Sequence, residues 1–221
     1  AIAGGTDLVP NLRDGIGSPP VLVDLSPVPG FDAFEIRTAG VRIGAGVTLA
    51  RLASDSGLAA ALPAVSAAAA SIAGPGHRSV ATVGGNLCVD TRCVYYNQSE
   101  WWRQSNGYCL KHRGDTCHVA PTGTRCHAAY QGDLAPGLIA CGASVELAGT
   151  RGTRTIALED LYRDDGLAHL ALEPGELLVA VVVPAQPRGA TSAYRKARAR
   201  GAIDFPLAGV AVRLAVDAGA I

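Results

Sequence analysis

Four cysteines in the middle of the chain are the residues whose type and spacing most clearly indicate chemistry. They are Cys93, Cys109, Cys117 and Cys126, in the pattern C-x15-C-x7-C-x8-C. Thiolates are the usual protein ligands of iron–sulfur clusters and of structural zinc. Zinc sites mostly contain closely spaced cysteine pairs, which this pattern lacks, so the spacing favours an iron–sulfur cluster. Zinc and four unligated thiols remain alternatives.

The segment that carries these cysteines, residues 89–130, also holds both tryptophans and four of the six tyrosines. Its apolar residues repeat with neither the helical nor the strand period, and a loop of this length needs something to order it. Metal ligation would supply that folding energy. Basic residues are expected to offset the thiolate charge, and histidines are alternative ligands. The basic residues are Arg92, Arg103, Lys111, Arg113 and Arg125, and the histidines are His112, His118 and His127.

Two glycine pairs in polar surroundings are candidate sites for a phosphate-bearing cofactor. The first glycine turn is Ala3–Asp7 (AGGTD) and the second is Thr82–Asn86 (TVGGN). Consecutive glycines let successive backbone N–H groups converge on an anion, and a threonine or asparagine side chain adds a donor. Neither turn is the G-x-G-x-x-G fingerprint, so a Rossmann site is not predicted. Together they indicate a dinucleotide whose pyrophosphate is bound by main-chain amides.

Composition limits the classes of function. The 221 residues include 19 basic and 19 acidic side chains, so no net charge favours nucleic acid or a membrane surface. The sequence has neither an apolar stretch of membrane-spanning length nor an export signal, which predicts a cytoplasmic protein. A disulfide framework is therefore not expected, and Cys88 and Cys141, both in apolar stretches, are expected to be buried and unreactive.

Both ends of the sequence suggest part of a longer polypeptide. The chain contains no methionine, and it opens with an apolar residue running directly into a glycine turn, as if a strand had been cut. It closes just after a strand-like stretch. We therefore expect a fragment.

The remaining pattern predicts the elements that position these groups in a mixed α+β domain. Thr48 is a predicted helix N-cap, and an alanine-rich helix is predicted from Pro63 to the glycines after residue 73. Residues 145–147 and 154–156 are predicted to form a hairpin. Strands are predicted at 21–25, 41–43, 145–147, 154–156, 176–183 and 205–216.

Several motifs resemble one family. The sequences AGGTDL (3–8), ATVGGNL (81–87), GDLAP (132–136), and Lys196 followed by DFPLA (204–208) are similar to those of FAD-binding subunits in the xanthine oxidase and carbon monoxide dehydrogenase group. The similarity runs from Ala3 to about Val216. Most relatives join the second glycine turn to the GDLAP motif by a short loop. The cysteine-bearing insertion found here instead resembles that of 4-hydroxybenzoyl-CoA reductase β subunits.

The resemblance implies a two-subdomain FAD-binding fold of the vanillyl-alcohol-oxidase (PCMH) type. Residues 1–55 would be a small α/β subdomain, truncated at its start. Residues 56–221 would be a second subdomain with an antiparallel sheet, containing the iron–sulfur loop 89–130. The family's C-terminal domain would be absent.

The same resemblance assigns binding residues. The four cysteines would hold a [4Fe-4S] cluster, and no catalytic residue is expected because electron transfer relies on cofactors. Ile72 replaces an aromatic residue of some relatives. The predicted FAD-binding residues are Ala3, Gly4, Gly5, Thr6, Asp7, Ile72, Thr82, Gly84, Gly85, Asn86, Asp133, Leu178 and Lys196.

The implied function is that of an electron-transfer subunit in a molybdenum-dependent 4-hydroxybenzoyl-CoA reductase. Electrons would pass from ferredoxin through [4Fe-4S] and FAD to [2Fe-2S] clusters and molybdopterin on partner subunits, for reductive dehydroxylation to benzoyl-CoA. The partners would be a molybdenum-binding α subunit and a [2Fe-2S] γ subunit, in a dimer of heterotrimers. Alternatives are a flavin subunit that exchanges electrons with NAD and a zinc-stapled assembly module with purely structural glycine turns.

Overall fold

The computed structural model describes residues 1–215, which form helices and antiparallel strands. The helices are α1 (Leu8–Arg13), α2 (Leu49–Ser54), α3 (Ser56–Ala61), α4 (Pro63–Ser71), α5 (Pro75–Arg78), α6 (Val83–Leu87), α7 (Glu100–Ser105) and α8 (Leu134–Ala140). The strands are β1 (Phe34–Arg37), β2 (Gly40–Gly44), β3 (Ser144–Gly149), β4 (Gly152–Ala157), β5 (Leu177–Pro184), β6 (Ala190–Ala197) and β7 (Ala208–Ala215). The predicted α+β class is confirmed.

The main sheet has five strands in the order β1-β2-β5-β3-β4, and every neighbouring pair is antiparallel. Apolar side chains of β2, β3 and β5 alternate onto one buried face, as expected for a sheet covered on one side. Strand β2 precedes the predicted subdomain boundary at residue 55 and β5 follows it. The sheet therefore draws strands from both sides of that boundary, which stays a prediction.

Turn chemistry accounts for the hairpin and for the end of β5. Strands β3 and β4 pair as predicted and are joined by the two residues between Gly149 and Gly152. Such short connections are typical of antiparallel hairpins. Strand β5 ends at Pro184, whose nitrogen cannot donate to a ladder. Strand β7 begins three residues after the predicted start, and position 216 of that prediction lies outside the described residues.

The predicted strand at residues 21–25 is wrong. Only one parallel bridge forms there, between Ile2 and Asp24. The Ile2 N–H donates to the Val23 carbonyl and the Leu25 N–H donates to the Ile2 carbonyl, both at 2.8 Å. Because the pairing stops at this single residue, Val21 remains exposed and the segment does not extend into a ladder.

The helices that support the site pack around α4. This helix begins with Pro63 at its first position, as predicted, and contacts α2, α3, α8 and β6. Its small side chains Ala64, Ala68 and Ala69 are fully buried, which allows the close approach of neighbouring elements. Within residues 1–215, no helix is long and apolar enough to cross a membrane.

Candidate functional site

The four predicted ligand cysteines line one cavity, although they come from separate parts of the chain. Three of the four, Cys109, Cys117 and Cys126, are buried, and Cys93 is half-buried. The enclosed space between these residues amounts to about 10 Å³, enough for about one water molecule. Its other lining residues are Tyr95, Tyr96, Leu110, Lys111, His118, Val119 and Ala128. The fold thus brings together thiols that lie up to 33 positions apart in sequence.

A metal centre is nevertheless not shown at these cysteines. No group of three or more histidine, cysteine, aspartate or glutamate side chains in residues 1–215 is arranged to hold a metal ion. A tetrahedral zinc site needs its ligand atoms about 2.0–2.3 Å from one point. The cysteine cavity does not have that arrangement.

Main-chain N–H groups contact two of the four cysteine sulfurs, those of Cys117 and Cys126. Burial raises the pKa of Cys117, but N–H groups of Ala120, His127 and Val119 outweigh this effect and hold the pKa below its usual value. The Cys126 sulfur accepts a hydrogen bond from the Ala128 N–H at 3.4 Å. Burial dominates there and raises the pKa of Cys126. Hydrogen bonds of this kind are a known influence on iron–sulfur clusters.

The cysteine segment contains a helix that the sequence reasoning missed. Ser99 caps α7, accepting a hydrogen bond from the Trp102 N–H at 3.3 Å, and Glu100 follows in the first turn. A serine cap followed by an acidic residue is a recognised helix start. The tryptophans that follow obscure the helical period of apolar residues, so the sequence pattern alone does not indicate this helix. Trp101 on this helix is 73% exposed, so it does not belong to a dry shell around the cysteines.

The two ends of the segment meet. Arg92 and Ala129 exchange both backbone hydrogen bonds, at 2.8 and 2.9 Å, forming an antiparallel bridge. The Tyr130 hydroxyl then lies 3.1 Å from the Asn86 carbonyl oxygen, in the second glycine turn. The loop therefore leaves and rejoins the domain at one point, which we call the neck, and this point adjoins the glycine turns.

Each basic residue predicted to offset thiolate charge pairs with a carboxylate, and Arg103 and Arg113 share one. Lys111 lines the cavity with its ammonium group buried, and that group donates to Asp90 at 2.7 Å. The other four basic residues pair elsewhere. The pairs are Arg92–Asp7, Arg103–Glu100, Arg113–Glu100 and Arg125–Asp164.

Arg103 is the most deeply buried of these basic side chains. Its Nη2 donates to the Gly15 carbonyl at 3.0 Å and to Glu100 at 2.7 Å, which joins α7 to the N-terminal segment. Its Nε and Nη1 have no partner among the described residues. The guanidinium carbon lies 6.0 Å from the centre of the Tyr96 ring, and Tyr96 packs against Cys109.

The three histidines predicted as alternative ligands have different surroundings. His118 lines the cavity, and its Nε2 is hydrogen-bonded to the Tyr108 carbonyl. His112 packs against the edge of the Tyr108 ring. His127 lines a separate, solvent-facing cleft on the other side of Cys126. None of them joins the cysteines in a group that holds a metal ion within residues 1–215.

The two glycine turns lie side by side. A Cβ atom added to Gly4 would stand 2.0 Å from the Val80 carbonyl oxygen and 3.0 Å from the Ala81 Cα. Real side chains do not tolerate such distances, so only glycine permits this contact. The first turn is thereby packed against the residues that lead into the second.

The backbone N–H groups of the two turns differ in availability. The N–H groups of residues 4–8 have no acceptor among the described residues, and Gly5 has a φ of +67°. In the second turn, by contrast, the amides of residues 83–86 are engaged within the protein. Their acceptors are Val47 O for Val83, Ala45 O for Gly84, Thr82 Oγ1 for Gly85 and Thr82 O for Asn86. Free main-chain donors for an anion are therefore concentrated in the first turn.

Asp133 and Lys196 contact each other. The Lys196 Nζ donates to the Asp133 Oδ2 at 2.9 Å, and their side chains are 3% and 4% exposed. The Tyr194 hydroxyl donates to the other carboxylate oxygen at 2.7 Å. Lys196 also donates to the Asp204 carbonyl at 2.8 Å. The sequence reasoning placed Asp133 and Lys196 in one site but did not anticipate that they pair.

The remaining predicted site residues are placed as follows. The Asn86 side-chain oxygen accepts from the Leu134 N–H at 3.1 Å, which fixes the second glycine turn to α8. Ile72 and Leu178 are buried in the main hydrophobic core. Thr6 lies half-buried in the first glycine turn.

The two cysteines outside the cavity are embedded in the domain. Cys141 is 1% exposed and belongs to the main hydrophobic core. Cys88 is half-buried and packs against the same core. Burial raises the pKa of the Cys88 thiol to about 12, which keeps it protonated and weakly nucleophilic at neutral pH.

Thr82 caps α6 in the same way that Thr48 caps α2, as predicted for Thr48, which gives a matched pair of variants. Thr82→Val and Thr48→Val are each expected to lower the free energy of unfolding by about 1 kcal/mol, because each removes one N-cap hydrogen bond. Urea denaturation measures this loss. Only Thr82→Val is expected to weaken FAD binding. Equal FAD affinity in both variants would remove Thr82 from the predicted binding set.

Comparison with known proteins supplies independent evidence on the cofactor. Residues 1–186 match the family model described as the FAD binding domain in molybdopterin dehydrogenase. The chain is 35% identical to the aldehyde oxidoreductase FAD-binding subunit of Escherichia coli (strain K12), over 98% of this chain and 70% of the relative. It is 31% identical to the carbon monoxide dehydrogenase medium chain of Afipia carboxidovorans, over 99% of this chain and 62% of the relative.

A solved structure of similar fold agrees with this assignment. The chain superposes on a chain of the Cu,Mo-containing carbon monoxide dehydrogenase with a TM-score of 0.74 and 29% identity. The match covers 99% of this chain and 62% of that one. The fold is thus that of a PCMH-type FAD-binding domain, with the antiparallel sheets described above. The chain belongs to the family of FAD-binding domains of molybdopterin dehydrogenases.

Proposed function

We propose that this chain is the electron-transfer subunit of a molybdenum-dependent oxidoreductase and that it carries both FAD and an iron–sulfur cluster. The main support for a cluster is that one cavity is lined by all four cysteines, Cys93, Cys109, Cys117 and Cys126. The segment that holds them is joined at its neck to both glycine turns. Relatives of this chain are described as FAD-binding or medium subunits, which supports a role within a larger complex.

The flavin diphosphate is proposed to bind at the first glycine turn. The free N–H groups of residues 4–8 would donate to the phosphate oxygens, and the second turn would border the same site through Thr82 and Asn86. Asp133, Lys196, Ile72 and Leu178 complete the proposed set. A division into two subdomains near residue 55 remains part of this proposal.

We propose a [4Fe-4S] cluster rather than a single ion at the cysteine cavity. A cluster attaches each thiolate to a different iron atom, so its ligands do not converge within one ion's bonding distance. When bound, such a cluster supplies one-electron transfer. The chain's own part is to shield the site, where Tyr96 and Ala128 are buried, and to donate main-chain N–H groups to Cys117 and Cys126. The alternative of a zinc-stapled module lacks support, because no side chains in residues 1–215 are grouped to hold a single metal ion.

For the complex as a whole, we propose the organisation of 4-hydroxybenzoyl-CoA reductase. Ferredoxin would donate electrons to the cluster, and FAD would pass them to [2Fe-2S] clusters and molybdopterin on partner subunits. The support is the resemblance of the cysteine-bearing insertion, at YYNQSEWW (95–102) and GYCLK (107–111). Because this chain spans only 70% and 62% of the length of the two relatives named above, the substrate belongs to the proposal.

Composition analysis of anaerobically purified protein tests this function. We expect one FAD, about four iron atoms and about four acid-labile sulfides per chain, because four thiolates are the usual ligand set of a [4Fe-4S] cluster. Iron, zinc, sulfide and flavin are measured on one preparation. Protein that contains zinc and no iron would contradict the cluster proposal and favour the zinc-stapled assembly module. Bleaching of the flavin by NADH alone would favour the NAD-exchanging alternative.

A further inference from the structure

An ion pair joins the cysteine segment to the first glycine turn. The Arg92 Nη2 contacts the Asp7 Oδ1, and the Arg92 Nη1 donates to the Asn11 side-chain oxygen at 2.9 Å. The two ionic side chains are only 17% and 27% exposed. Arg92 is itself held by its two backbone hydrogen bonds to Ala129, and Cys93 is the next residue. The guanidinium is therefore fixed from the neck of the cysteine segment and acts on the glycine turn.

Asp7 is proposed to bind the diphosphate through its main-chain N–H, whereas its carboxylate is an electrostatic difficulty for the same site. Its carboxylate belongs to the turn whose free N–H groups face an anion in our proposal. Two like charges a few ångströms apart repel by roughly 1–4 kcal/mol in a partly solvated site. Burial raises the pKa of Asp7, and the Arg92 guanidinium opposes that shift and favours the ionised carboxylate. The ion pair with Arg92 neutralises the charge of the ionised carboxylate beside the site proposed for the diphosphate.

We propose that Arg92 is a positioning residue for the flavin diphosphate, which neutralises Asp7 and holds the first glycine turn in its binding conformation. This inference rests on the proposed binding of FAD at that turn. It also makes the affinity for FAD depend on the order of the cysteine segment, because the same arginine belongs to the neck. Binding at the two sites is then coupled, and the coupling is reciprocal.

The dissociation constant of FAD, measured by titration calorimetry on the purified protein, tests the proposal. Arg92→Gln is expected to weaken FAD binding by roughly tenfold or more, because the Asp7 carboxylate is left without its cationic partner beside the diphosphate. The double variant Arg92→Gln with Asp7→Asn is expected to recover most of that loss, since no carboxylate remains. Arg92→Lys keeps the positive charge and is expected to bind FAD more tightly than Arg92→Gln.

Arg154→Gln is the matched control. It also removes a two-bond arginine–carboxylate pair, to Glu176 at 2.7 and 2.8 Å, but in the main sheet. Its FAD affinity is expected to equal that of the wild type.

The outcomes separate the two proposals. An FAD affinity equal to the wild type in Arg92→Gln would overturn the role of Arg92. A double variant that binds FAD no more tightly than Arg92→Gln would also overturn it, because the lost affinity would then be structural in origin. If Arg92→Gln does not fold, a tenfold loss in the double variant overturns it instead. Wild-type protein that binds no FAD would overturn the proposed flavin site, and this inference with it.

Discussion

A chain in which serine replaces Cys117 is expected to lose essentially all of its bound iron. A cluster needs its full set of thiolates, and this sulfur is the one that receives main-chain N–H groups from three residues. Because ligation energy is folding energy, the variant is also expected to lose protection of the segment 89–130 against proteolysis. Iron and sulfide per chain, together with limited proteolysis, measure the two effects.

Cys88→Ser is the control for this experiment. Cys88 lies close to the segment in sequence but does not line the cysteine cavity. This variant is expected to keep its iron and sulfide. Undiminished iron in Cys93→Ser, Cys109→Ser, Cys117→Ser and Cys126→Ser alike would show that the cavity is not the cluster site.

Replacing Lys196 by methionine is expected to destabilise the protein by about 3–5 kcal/mol, the usual result of leaving a buried charge without its partner. Methionine matches the unbranched stem of lysine and lacks only the ammonium group, so the loss reports mainly on the uncompensated Asp133 carboxylate. Denaturant unfolding followed by circular dichroism measures this. Lys196→Met is also expected to disturb the site, because the ammonium group holds the Asp204 carbonyl.

A double variant separates charge from packing. Combining Lys196→Met with Asp133→Asn leaves no buried charge, and Tyr194 retains an acceptor, so most of the lost stability is expected to return. Arg37→Met supplies an exposed comparison. Arg37 pairs with Glu35 at 2.5 Å but is 71% exposed, and its loss is expected to change the free energy of unfolding by less than about 1 kcal/mol. Additive losses at Lys196 and Asp133 would show that the pair is not coupled.

Local rules were enough to predict much of the framework. The N-cap at Thr48, the proline start of α4 and the hairpin between β3 and β4 each depend on residues close in sequence, and each is present. The α+β class follows from the same patterns. The strand predicted at 21–25 failed because apolar composition indicates a suitable segment but not the partner that would pair with it.

Contacts between distant residues set the limit of prediction for the candidate site. The sequence identified the four cysteines, but only the fold places them around one cavity. It identified both glycine turns as equivalent, whereas the acceptors Ala45 and Val47 occupy amides of the second turn. The pairing of Asp133 with Lys196, 63 positions apart, likewise depends on how α8 meets β6. None of these acceptors or partners has a local signature.

The bridge between Arg92 and Ala129 determines which changes of length the segment between them can accept. When the two ends of a loop lie next to each other, the loop can be lengthened, shortened or exchanged without moving the strands on either side. The length of segment 93–128 can therefore change independently of the main sheet. Shortening the segment to a tight turn between Arg92 and Ala129 is expected to leave the register of the main sheet unchanged.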